Sequence, residues 1–178
     1  IVLDPVSALA TFGAFKKLTF ETIWSSLASV LASVGIVGSY NGGTTISACE
    51  RIAIYLGFSP HWTQLSQSWA TNHAPLVFTC GIFLLLVCLS LFGSNNNGFR
   101  TASTTAWGIA VLLSVKTYDH SSILIIFLVL VVAIFLGHKQ SAQFGASFFI
   151  TVFFYWIVSL WVLLSGSGEI VSRDTNDK

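Results

Sequence analysis

Charge is what this sequence lacks most. Asp, Glu, Lys and Arg make up only 8% of its 178 residues, whereas soluble domains carry roughly a quarter because their surface must face water. A chain so poor in charge cannot cover a water-facing globule of this size, and lipid is the solvent that removes the need. The net charge of +1 leaves no basic stripe to neutralise phosphates, which excludes nucleic acid as a partner. Methionine is absent altogether, position 1 included. That absence predicts that Ile1 is not the translated start: a leader was removed, a segment is missing, or the chain was trimmed. Cysteine is scarce and odd in number. Cys49, Cys80 and Cys88 form no CxxC pair, so no disulfide framework or zinc motif is readable. They read as small apolar residues, with Cys80 and Cys88 on roughly one helix face.

What the chain has instead is apolar length. Hydrophobic residues are 54% of it, gathered in runs separated by short polar turns. The expected fold is all-α: a single polytopic integral membrane domain of about five transmembrane helices and one interfacial amphipathic helix. The spans fall at about 18–37, 75–92, 102–116, 122–137 and 144–164, with a polar tail over 166–178. The third and fourth lie near the lower length limit for a span. Joining them into one interrupted helix would strand Tyr118, Asp119 and His120 in mid-bilayer, so a tight turn over 117–122 is expected.

The long connection after the first span opens with the turn-forming SYNGGTT. It continues with Ile46, Cys49, Ala53 and Leu56 at helical spacing, which predicts a short interfacial helix over about 45–57. Trp62 and Trp69 suit the same depth, because indole rings favour the headgroup boundary. Lys16 and Lys17 flank the first span, and the first span usually sets orientation, which favours N-terminus inside and C-terminus outside.

Two groups of residues carry the functional expectations. In the first span, Ser25, Ala28, Ser29, Ala32, Ser33 and Gly35 form a ridge of small side chains. Lipid gives helices no hydrophobic reason to pair, so such ridges pack backbones closely and share hydroxyl hydrogen bonds. This seam serves either another helix of the same chain or a different subunit. The second group follows from the span count. It gathers Glu50, Arg51, His61, His73, Lys116, Asp119 and His120 on one membrane face, where they either lie in solvated loops or receive a soluble domain, a headgroup or a metal. The fourth span has no small or polar face beyond Ala133 and should turn most of its circumference to lipid. The fifth is rich in Phe and Trp, expected as lipid-facing rings and interface anchors.

Catalytic chemistry is not written here. The spans hold no paired Asp, no Ser–His combination and no HExxH. No two His residues sit at matched depth to ligate a haem, so haem and metal are not expected and bound lipid is. SPHWTQ at 59–64, with His73 beyond it, resembles the SPH segment of the quinone-site membrane anchors of succinate dehydrogenase. Those anchors pair a His with an Arg that is missing here and have fewer spans, so no residue role is carried over. The leading expectation is an accessory or structural subunit of a multi-subunit membrane complex, its partners being lipids and other membrane subunits. The alternatives are a small homo-oligomeric transporter or channel lined by the hydroxyls of Ser25, Ser29 and Ser33, and a redox or quinone-site anchor using His61, His73 and His120.

Overall fold

The computed structural model describes residues 20–91, 98–138 and 144–165. Lys16, Lys17 and the expected polar tail lie outside them. All regular structure among the described residues is helical. The helices are α1 (Phe20–Tyr40), α2 (Thr45–Tyr55), α3 (His61–Asn72), α4 (Ala74–Leu91), α5 (Gly98–Leu112), α6 (Asp119–His138) and α7 (Phe144–Ser165), with a 3₁₀ turn at Lys116–Tyr118 before α6. Three stretches, Phe20–Tyr40, Ala74–Leu91 and Lys116–Gly137, are long and apolar enough to cross a membrane. Within α7, Ser147–Trp161 is a shorter apolar stretch. With 15 residues, α5 rises only about 22 Å, less than the roughly 30 Å of a hydrocarbon core.

The boundaries follow local chemistry. After α1 the chain turns through Asn41 and Gly42, and Gly42 takes a left-handed backbone (φ 70°) that favours glycine. Thr44 then caps α2: its hydroxyl accepts from the Ser47 N–H while the Ser47 hydroxyl accepts from the Thr44 N–H, a reciprocal capping box with Ser in the usual Glu position. The helix closes on Gly57 (φ 83°). The Gly57 and Phe58 amides donate to the Ile54 and Ala53 carbonyls, the paired bonds of a Schellman ending.

The segment expected as one interfacial helix followed by a loop is two helices. Thr63 and Ala70, seven residues apart, are both buried on the same side of α3. The turn expected over 117–122 comes earlier. Ser114 breaks α5 by returning its hydroxyl to the Ala110 carbonyl, Val115 is extended, and Asp119 already opens α6, where its carboxylate suits the positive helix end.

α5 is the middle of the bundle. It lies antiparallel to α4, and the two interlock reciprocally. A Cβ on Gly81 would stand 2.6 Å from Leu112 Cγ, and one on Gly108 would stand 2.7 Å from Leu85 Cδ2. Each glycine thus receives the other helix's leucine, the close approach that membrane helix pairs exploit. One turn further on, Cys88 Sγ lies 2.7 Å from Thr105 Oγ1. That hydroxyl also lies 2.8 Å from the Thr101 carbonyl.

Strand-like alternation of five spans is not what the remaining pairings give. α1 runs parallel to α5, from Glu21 beside Arg100 to Gly35 beside Leu113. α7 runs antiparallel to α1, since Ser26 meets Ser159 and Ser33 meets Phe153. In an alternating five-span bundle the first and fifth spans would run the same way.

α6 takes up the difference. It starts at the C-terminal end of α1, where Ser39 Oγ donates to Asp119 Oδ1 at 3.0 Å. α7 starts near that end too, because Phe153, nine residues into it, lies beside Ser33. The 20 residues of α6 rise about 30 Å, while the six chain steps from His138 to Phe144 reach about 20 Å at full stretch. α6 therefore lies steeply inclined to α1.

Candidate functional site

The small-residue seam of α1 is consumed inside the chain. Ser25, Ala28, Ser29, Ala32 and Gly35 are all buried, and Ser33 is half-buried. Ser25 Oγ donates to Ser103 Oγ of α5 at 3.1 Å. Ser33 Oγ reaches the Phe153 carbonyl of α7 at 2.6 Å, closer than the Ser29 carbonyl at 3.0 Å. Ser26, outside the expected ridge, shares a 2.7 Å bond with Ser159. Gly35 admits Thr45 Oγ1 and Leu113 where any Cβ would collide. Ser29 differs from its neighbours: its hydroxyl is enclosed with no hydrogen-bond partner among the described residues.

A second polar junction, at the end of α5, escaped the sequence reading. A helix end leaves carbonyls without intrahelical donors, and at the heart of an apolar bundle each one must find a partner. Here every one does. The Ile109 and Val111 carbonyls take the Leu113 and Ser114 amides. The Ala110 carbonyl takes the hydroxyls of Thr45 and Ser114. The Leu112 carbonyl takes Ser122 Oγ at 3.3 Å, and the Leu113 carbonyl takes the Thr45 amide at 2.9 Å. The first turn of α2 thus plugs the end of α5, with Thr44 and Thr45 both buried. A threonine pair directly after a glycine turn is the signal in the sequence, although it reads there only as a cap.

The expected polar face does not condense into one centre. Glu50 shares a shallow recess of about 410 Å³ with Gln64, Gln67, Ser68, Thr71 and Asn72 of α3. Gln67 Oε1 in turn accepts the Thr44 hydroxyl at 2.8 Å. Lys116, Asp119 and His120 line a separate recess of about 280 Å³ on the turn before α6. Arg51 is exposed on α2, and His61 is exposed at the start of α3. His73 ends α3, its ring stacked on Trp69 at 4.8 Å and its Nδ1 3.0 Å from the Trp69 carbonyl. Among the described residues no three His, Cys, Asp or Glu side chains are placed to share a metal ion. Burial pushes the Cys49 thiol above its ordinary range, so it stays protonated and a poor nucleophile at neutral pH.

At the opposite end of α1, Glu21 and Arg100 pair at 2.9 Å across exposed surface. Beside them Trp24 lies on Trp107 with ring centroids 4.5 Å apart. The sequence reading paired none of these four. No family model, no curated protein and no solved structure matches this chain. The class that fold and polar placement define is therefore the broad one: an all-helical protein with three helices able to cross a membrane.

Proposed function

We infer that this protein is an accessory or structural subunit of a membrane assembly. One observation carries the reading: the hydroxyls and small residues of its apolar helices are spent on joining those helices to one another. The bonds from Ser25, Ser26, Ser33, Thr45 and Ser122 all cross between elements. With the α1 seam used internally, partners would meet the chain on the polar end built from α2, α3 and the turn before α6. The apolar outer residues of α6, among them Leu124, Phe127 and Phe135, would face lipid.

The transporter alternative needs hydroxyls lining a path. Ser25 and Ser33 give theirs to α5 and α7, and Ser29 is fully enclosed, which weighs against it. In the arrangement that fits the pairings, α1 and α5 run one way, α4 and α7 run the other, and α6 slants beside them. The N-terminus is inside, as Lys16 and Lys17 favour, and α7, antiparallel to α1, brings the C-terminal end to the same side.

The test is extraction in a mild detergent, followed by sizing of the particle and identification of its constituents by mass spectrometry. A particle holding several different proteins in fixed ratio is the expected result. A lone monomer or a homo-oligomer would overturn the subunit reading.

A further inference from the structure

A further recess among the described residues has a mainly apolar lining. It is a groove of about 690 Å³ between α2, α3, the first turns of α4 and the end of α5. Its floor is small and buried, with Ala70 and Val77. Its rim is bulky and exposed, with Leu65 at 76%, Leu76 at 55% and Trp69 at 54%. Cys80 and Val111 complete the apolar wall, and Ser66 and Ser114 are its hydroxyl-bearing residues. The Ser114 hydroxyl is already bound to Ala110.

The position of α3 says what covers this groove. One flank of α3, Leu65 and Trp69, walls the apolar groove. The other flank, Gln64, Gln67, Ser68 and Thr71, walls the polar recess shared with Glu50. The change from apolar to polar happens across one helix, about 10 Å wide, and the Trp69–His73 stack marks the same level. That is the profile of a helix lying at the boundary between hydrocarbon and headgroups. From there the groove follows α4, a helix long and apolar enough to span, into the hydrocarbon. A volume of this size is within the range that holds a small-molecule ligand. Left empty in lipid, it would forfeit dispersion contacts along its whole lining. Tall rims around a small floor suit a thin flexible chain better than a helix about 10 Å across.

We propose that the groove holds one acyl chain of a membrane phospholipid, with its headgroup on the polar side of α3. The proposal rests on the reading of α4 as a membrane span.

The experiment reconstitutes the full chain in phosphatidylcholine vesicles carrying a photoactivatable diazirine on the acyl chain, and maps the crosslinked residues by mass spectrometry. Crosslinks are expected to concentrate on Leu65, Trp69, Leu76, Cys80 and Val111, several-fold above the outer face of α6 at Leu124, Phe127 and Phe135. Ser66→Trp, which fills the groove, is expected to cut the groove crosslinks at least fivefold while α6 labelling holds. Ser68→Trp, on the polar flank of the same helix, should leave both unchanged and controls for folding. Groove labelling no stronger than on α6, or untouched by Ser66→Trp, would overturn the proposal. Failure to label either region would instead overturn the membrane reading beneath it.

Discussion

At the scale of single residues, the unusual feature is a polar atom with nothing to do. In α1 the hydroxyls of Ser25, Ser26 and Ser33 each reach another helix, while Ser29, fully enclosed between them, reaches none. A buried hydroxyl without a partner costs about 1–3 kcal/mol of desolvation. Ser29→Ala removes that cost, leaves almost the same volume, and raises helix propensity. The variant is therefore expected to be more stable than the parent by about 1 kcal/mol, read as a higher melting temperature of the detergent-solubilised protein. Ser25→Ala, which loses the bond to the half-buried Ser103, should move the other way by up to about 1 kcal/mol. A Ser29→Ala variant that melts lower would mean that the hydroxyl has a partner after all. The sequence could not separate these serines. Spacing places Ser25, Ser29 and Ser33 on one ridge and says that the ridge packs. Which hydroxyl finds an acceptor depends on whether the facing helix offers Ser103 or the Phe153 carbonyl at that level, and that is set by the relative height of helices far apart in the chain.

At the scale of elements, the fold turns on how a short helix ends inside an apolar bundle. The sequence reading located the apolar helices to within a few residues, because composition and length alone identify them. It missed α3, whose buried positions are a threonine and an alanine rather than a hydrophobic run. It also missed the Gly81–Leu112 and Gly108–Leu85 interlock, although the matched spacing of small and large residues on both helices is present in the sequence. Single glycines acquire meaning only once the partner's register is known.

The plug of α2 on α5 gives the sharpest test of this tertiary logic. Thr45 is the first residue of α2, the position where proline is ordinarily welcome because its missing N–H would be unused. Here that N–H donates to the buried Leu113 carbonyl at 2.9 Å. Local helix rules predict Thr45→Pro to be neutral or mildly stabilising. The structure predicts a loss of about 1–3 kcal/mol, since a buried carbonyl is left without its donor. Thr45→Ala keeps the amide bond and loses only the hydroxyl on Ala110, so it should cost less, about 1 kcal/mol. Chemical-denaturant titrations in detergent would rank the three proteins. A Thr45→Pro variant as stable as the parent would show that the contact between α2 and α5 contributes nothing.

For the whole molecule, the decisive quantity is the number of crossings. Hydropathy counts apolar stretches and assigns each a passage through the bilayer, which is how five spans and opposite ends arise from this sequence. Hydrogen bonds between helices count differently, because they record direction. Ser26 to Ser159 and Ser33 to Phe153 advance along α1 while retreating along α7. Glu21 to Arg100 and Gly35 to Leu113 advance along both α1 and α5. α1 and α5 therefore run one way and α4 and α7 the other, so α7 ends at the level where α1 begins. A slanting α6, although long and apolar enough to span, would leave an even number of crossings. This arrangement predicts that tags at the two ends of the chain lie on the same side of the membrane. Protease protection of each tag in sealed vesicles, before and after permeabilisation, reads this directly. Both tags cleaved or both protected in intact vesicles supports the even count, and would make the loop after α6 accessible from the other side. One tag cleaved and one protected would restore five traversing helices, and would require α7 to reverse its direction against α1. That reversal cannot be made by a small adjustment, because it breaks the Ser26 and Ser33 bonds together.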